Sequence, residues 1–161
     1  LGQQVSLGAA RRALERVRAA AGSVTPAAVA SLGEDGLRAA GQTRQKARYL
    51  VGLAEASLAG RLDLAAIGGL PDDAAAAALV AYTGIGRWTA DIYLLMGLGR
   101  PDVWPSTDLA LIISARAAKG LPDASATSIT AVAEAWRPWR SVAALMLWQA
   151  YLIERGRPLD E

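Results

Sequence analysis

The 161-residue chain has no cysteine and no histidine. Their absence removes disulfides, thiolate nucleophiles, iron–sulfur ligation, the common zinc sites and imidazole acid–base catalysis together. Any chemistry must rest on carboxylates, hydroxyls, lysine or the backbone. Lysine is itself scarce, with Lys46 and Lys119 the only ones. Long apolar runs are missing too: the longest, residues 74–82, falls far short of the roughly 20 residues a membrane-spanning helix needs. No charged-then-apolar leader opens the chain, so a soluble protein without a visible address is expected. Zero cysteine suits a reducing compartment. The first residue is Leu1, and Gln3 and Gln4 already read as helix, so the natural chain is expected to begin earlier.

What is present is apolar mass and arginine. Apolar residues make up 53% of the chain and mean hydropathy is +0.23, enough for a sizeable core in a chain whose length suits one domain. Net charge is only +2, yet 15 of the 17 basic residues are arginine, the side chain suited to forked phosphate contacts. They cluster as Arg11, Arg12, Arg16 and Arg18, then Arg44, Lys46 and Arg48, then Arg137 and Arg140. A solvated surface explains such clusters as readily as nucleic acid does.

Alanine is abundant, β-branched runs are short and breakers fall at regular intervals, so the chain reads as all-α, helices joined by short loops. A helix from Gln3 to Ala21, with Leu7, Ala10, Leu14 and Val17 on its apolar side, stops at Gly22. Thr25-Pro26 opens a short helix to about Ser31, and Glu34 to Ala40 forms another, stopped by Gly41. Thr43 caps a helix whose apolar face is Ala47, Leu50, Val51, Ala54 and Leu58. After a single turn at 64–67, Pro71, Asp72 and Asp73 begin a helix reaching Tyr82, and Trp88 to Leu98 restarts one at once. Asp108 then begins a helix with Leu109, Ile112, Ile113 and Ala117 toward the core. Ser125 to Ala135 is another, and the last, Val142 to Arg155, carries Leu145, Trp148 and Leu152 after a proline break at 136–141.

Two stretches suit phosphate. Residues 41–46 put a polar turn and cations at a helix N-terminus, where free backbone N–H groups collect. Gly84-Ile85-Gly86 is a two-glycine hairpin between apolar helices, a shape that lets the backbone approach a ligand without Cβ atoms in the way. Backbone amides read charge and geometry, not bases, so such a grip serves any DNA sequence.

The strings Leu1-Gly2-Gln3-Gln4-Val5-Ser6, 41–47, Gly84-Ile85-Gly86-Arg87-Trp88-Thr89-Ala90, 103–108, and 136–141 with Trp148 occur in this order over nearly the whole chain. Together they resemble the helix-hairpin-helix (HhH-GPD) DNA glycosylase superfamily, and within it the alkylated-base, 3-methyladenine DNA glycosylase II branch. The resemblance implies a single all-α domain over residues 1–161, built as two helical lobes with the active-site cleft between them and the helix-hairpin-helix at about 72–98. The β-rich N-terminal domain of longer members is not matched within these residues, so either a compact type of member or a truncated form is expected.

The implied function is DNA repair by base excision. A nucleotide is flipped from the duplex, and water hydrolyses the N-glycosidic bond of an alkylated base such as 3-methyladenine. The implied catalytic residue is Asp108, stabilising oxocarbenium character at the sugar C1′; from the residues alone it reads equally as a first-turn acid after Thr107. A cationic base leaves readily, so no histidine acid is needed. Bifunctional members carry a lysine where this chain has Trp88, so a monofunctional hydrolase without lyase activity is expected. Trp88, Trp148, Tyr151 and Trp104 are the implied base-pocket aromatics, attracting a cationic base by stacking, although any tryptophan also reads as core.

DNA contacts fall on Gly84, Ile85, Gly86, Arg87 and Thr89 of the hairpin and on Gln42, Thr43, Arg44 and Lys46, with the wedge that fills the flipped-out gap among Gln42, Thr43 and Arg44. Gln4 and Ser6 match a stretch near DNA. The backbone carbonyls of Val80, Tyr82 and Ile85 match a site for a monovalent cation, Na+ or K+; no other cofactor and no iron–sulfur cluster is expected. Ile92 and Leu109 stand where some relatives have tyrosine. The implied partner is damaged double-stranded DNA, bound by a monomer in the cytoplasm among nucleoid proteins or elsewhere inside the cell, with no membrane. Two other readings stay open: a glycosylase for oxidised or mismatched bases, and a non-catalytic helix-hairpin-helix DNA-binding module. The missing lysine and cysteines speak against the first, Asp108 against the second.

Overall fold

The computed structural model describes residues 7–156, so Gln4 and Ser6 lie outside it. Among the described residues there are nine α-helices and no strand: α1 (Leu7–Ala21), α2 (Pro26–Ala39), α3 (Arg44–Leu58), α4 (Leu64–Gly68), α5 (Asp72–Val80), α6 (Arg87–Ile92), α7 (Leu109–Lys119), α8 (Ala126–Ala133) and α9 (Arg140–Glu154). A π turn, Tyr93–Gly97, extends α6, and a 3-10 turn, Glu134–Trp136, extends α8. Among the described residues no helix is long and apolar enough to cross a membrane.

The chain divides into two compact units, residues 1–69 with 81–85, and residues 70–80 with 86–161. In the first, α3 packs along α2 and α1 against α2, burying Val17, Val29, Leu37, Ala40, Ala47 and Ala54. Alanine at three of these positions lets the helix axes approach closely. Caps set the ends: Thr25 Oγ1 accepts from Ala28 N at 3.2 Å and Thr43 Oγ1 from Lys46 N at 3.2 Å, each relieving an orphan N–H of a first turn. The two short helices expected at 26–40 are both there within α2, separated by a kink at Gly33, whose φ of +67° is left-handed.

In the second unit α7 lies on α9 and α5 on α6, with Leu94, Leu111, Ile129, Ala133 and Ala144 buried among them. Four expectations shift here. The helix expected to reach Tyr82 stops at Val80, and the last helix begins at Arg140 rather than Val142. Trp88 to Leu98 is not one α-helix, since α6 gives way to the π turn at Tyr93. The buried stripe of α7 is Leu111, Ile112, Ser114 and Ala115; Leu109 is 66% exposed. The capping residue Asp108 turns inward, which rotates the residue after it outward. Leu14, Leu58 and Leu145, assigned above to apolar faces, are likewise exposed.

Candidate active site

The irregular loop 101–108, a few residues beyond the π turn, leads into α7, and the first turn of α9 fastens it. Ser141 N donates to Pro101 O at 3.0 Å, and Ser141 Oγ accepts from Val103 N at 2.9 Å. Asp102 receives Arg140 Nε at 2.8 Å and Arg137 Nη1 at 2.7 Å. Glu134 closes the cluster, accepting from Arg137 Nε at 2.6 Å and Arg140 Nη1 at 2.7 Å. Burial pushes the Asp102 carboxyl up, but the Arg140 hydrogen bonds and the two guanidinium charges outweigh it and hold it below its ordinary range. Arg137 and Arg140 were grouped above with clusters suited to nucleic acid. Their guanidinium groups instead clamp a loop, and the signal for this in the sequence is the pair of acids, Asp102 and Glu134, not the arginines.

What the clamped loop delivers is Asp108, the N-cap of α7, with only 9% of its surface exposed. Three N–H groups converge on it. Oδ1 accepts from Leu111 N at 3.0 Å and from the Trp148 indole Nε1 at 3.2 Å, while Oδ2 accepts from the Trp88 indole Nε1 at 2.7 Å. A carboxylate has about four acceptor sites, so Oδ2, with one donor, keeps a lone pair for a water or a developing cation. Trp88 and Trp148, singled out above for their faces, act here through their edges. Reasoning from the sequence missed this because it treated tryptophan as a surface for stacking; indole is also a single-donor group that finds an acceptor when buried. Both tryptophans are half-buried.

The other aromatic candidates are placed differently. Trp104 is 7% exposed and packs in a T-shaped contact with Trp136, ring centroids 5.4 Å apart. Tyr151 is half-buried, with the Arg155 guanidinium 4.4 Å from its ring centroid. Ile92 is half-buried and Leu109, beside Asp108, is exposed.

The hairpin between α5 and α6 is closed by Ile85 N donating to Tyr82 O at 3.0 Å. Its two glycines serve different ends. Gly84 has φ of +97° and a Cβ there would lie 2.6 Å from Tyr49 Cγ, so only glycine fits. Gly86 has ordinary φ of −90° as the N-cap of α6, and a Cβ on it would meet nothing within 4 Å; the space beside it is open. Arg87, half exposed, is aimed by Asp91, whose Oδ1 accepts its Nε at 2.8 Å. Asp91 is buried, Oδ2 lacks a partner, and burial raises its pKa against the lowering effect of Arg87. Thr89 and Ile85 are half-buried.

In the first unit Gly41, at φ of +84°, lies under the Arg16 guanidinium, and Arg16 Nε donates to Ala40 O at 3.1 Å. The side chain of Gln42 turns inward and is 7% exposed. It cannot be the protruding wedge; Thr43 and Arg44 are exposed and Lys46 half-buried.

The sequence model for HhH-GPD superfamily base excision DNA repair proteins matches residues 1–141. The chain belongs to that superfamily. Over 124 residues it is 35% identical to DNA-3-methyladenine glycosylase 2 of Escherichia coli, covering 77% of this chain and 41% of that one. The crystal structure of a DNA-3-methyladenine glycosidase from Bacillus halodurans superposes with a TM-score of 0.81 at 30% identity, covering 96% of this chain and 73% of that one. The Schizosaccharomyces pombe 3-methyladenine DNA glycosylase in complex with abasic DNA gives 0.83 at 28% identity, covering 91% and 74%. Of the length of four curated relatives that it matches, this chain spans 14 to 44%. The all-α, helix-hairpin-helix fold expected from the sequence is the fold of these neighbours.

Proposed function

We propose that the protein is a monofunctional DNA glycosylase that hydrolyses the N-glycosidic bond of alkylated bases, of the 3-methyladenine type, in duplex DNA. The observation that carries this reading is the buried carboxylate of Asp108, held by two indole N–H groups and a backbone N–H, with an acceptor site left on Oδ2. A negative charge fixed in this way before the reaction stabilises positive charge developing at C1′ without reorganisation. It also accepts a hydrogen bond from the attacking water and takes that proton as the water oxygen bonds to C1′ and the C1′–N bond breaks, its electron pair passing to the base. The base departs as a neutral product because it enters as a cation. The names of the relatives and neighbours supply the substrate class.

The same reading makes the hairpin amides after Gly84 a contact for one DNA phosphate, assigns the wedge to Thr43 or Arg44, and places the protein inside the cell as a monomer. A monovalent ion at the turn would be held by neutral backbone carbonyl oxygens, of which that of Tyr82, bonded to Ile85 N, keeps a second lone pair. Bound there, such an ion would supply positive charge to a phosphate. With Trp88 in the position of the lysine that forms a Schiff base in bifunctional relatives, no covalent adduct forms.

The test is release of free base. Purified protein is expected to free 3-methyladenine from alkylated duplex, to leave 8-oxoguanine in place, and to yield no borohydride-trapped species. Release of the oxidised base alone moves the reading to that branch; binding of duplex without release of any base leaves only a DNA-binding module.

A further inference from the structure

Tyr49, against which Gly84 rests, belongs to none of the motifs in the sequence. It lies in the second turn of α3, half-buried. A Cβ on Gly84 would stand 2.6 Å from its Cγ and 2.7 Å from both Cβ and Cδ2, so ring and turn touch with no side chain between them. The ring is itself secured: Gln45 Nε2 donates to the Tyr49 hydroxyl at 2.7 Å across one turn of α3, and the Arg48 guanidinium carbon stands 5.9 Å from the ring centroid. The turn is tied a second time just beyond α3, where the Tyr82 hydroxyl donates to Arg61 O. The helix that supplies Tyr49 begins at the loop 41–46, and all these residues belong to the first unit.

We infer that α3 is a strut holding the hairpin turn in fixed register with the loop at its own N-terminus, and that Tyr49 is a positioning residue for the contact between hairpin and DNA backbone. The inference rests on the DNA reading above. A turn that grips phosphate through amides needs its geometry held to fractions of an ångström, and support must come from neighbouring rigid elements. Glycine gives the turn no side chain at residue 84 with which to hold itself. A flat aromatic ring with few torsions supplies that support from outside.

The experiment measures, on the full chain, Kd for undamaged duplex at fixed salt, and KM and kcat for alkylated duplex. Tyr49→Ala is expected to raise Kd and KM together by about tenfold, with kcat at saturating DNA within about twofold of wild type. Tyr49→Phe, which keeps the ring on Gly84, is expected to bind within about twofold of wild type. Should Tyr49→Ala not fold, Tyr49→Leu, which fills volume without a flat face, is expected to show the same rise. A folded Tyr49→Ala or Tyr49→Leu that binds as wild type overturns the inference, as does a loss confined to kcat. Wild-type protein that binds no duplex at all overturns the DNA reading and this inference with it.

Discussion

The hairpin turn at 81–86 and the loop at 101–108 are both short irregular leads into a helix, yet they are held by opposite means. The hairpin works by vacancy. Gly84 admits the Tyr49 ring where any Cβ would collide, and Gly86 leaves open space beside the amides that follow. The loop works by saturation: Asp102 takes two arginines, Val103 N donates to Ser141 Oγ, and Asp108 takes three N–H donors. Contact through backbone needs side chains removed and the turn supported from elsewhere. Chemistry through a carboxylate needs its orientation fixed by groups that themselves have nowhere else to turn.

If saturation is what makes Asp108 useful, removing one indole donor should slow base release while leaving DNA affinity alone. Trp88→Phe keeps an aromatic ring, smaller than the indole, and loses the 2.7 Å bond to Oδ2. A hydrogen bond to a charged group is worth about 1.5–3 kcal/mol, so single-turnover release should fall by about tenfold or more. Trp148→Phe, losing the longer 3.2 Å bond, should fall less. Equal rates in both variants and wild type would mean that the indoles act only as faces.

The two glycines sharpen the other half of the comparison. Gly84→Ala meets both a left-handed backbone and the Tyr49 ring, and thermal unfolding should show a loss of about 1–3 kcal/mol together with weaker binding to every DNA sequence. Gly86→Ala meets neither obstacle, so its melting temperature should stay that of the wild type while duplex affinity falls. Parallel losses of stability in the two variants would erase the distinction drawn between them.

The smallest effect expected is at the clamp. Asp102 is held below the ordinary carboxylate range, burial raising it but the arginines prevailing; Glu134 is lowered chiefly by its bond from Arg137. A depressed carboxyl contributes stability that is complete above its unfolded value, about pH 4 for Asp, and lost as pH falls through the folded one. Asp102→Asn should therefore melt below wild type at neutral pH, with the gap closing in acid. A gap that persists unchanged at about pH 2 would show that packing, not charge, fastens the loop.

Much of the first unit was legible because caps and helix stops are local. Thr25, Thr43, Gly22 and Gly41 act within a few residues of themselves, and the structure finds Thr25 and Thr43 capping and both glycines left-handed. The helix-hairpin-helix was legible for the same reason. What the sequence hid is pairing at long range. Arg137 and Arg140 look like any surface arginines until Asp102, 35 and 38 residues earlier, is seen beneath them. Tyr49 carries no motif, and its part appears only when Gly84 is laid against it. Leu109 followed the helical period in the string, but the inward turn of Asp108 put it outside.

Asp108→Asn tests the central claim most directly. The amide keeps the size of the side chain, while its nitrogen replaces one acceptor oxygen and the negative charge is gone. Single-turnover release of 3-methyladenine should fall by at least about 100-fold, with affinity for undamaged duplex unchanged. Release at the wild-type rate by a folded Asp108→Asn protein would contradict the account.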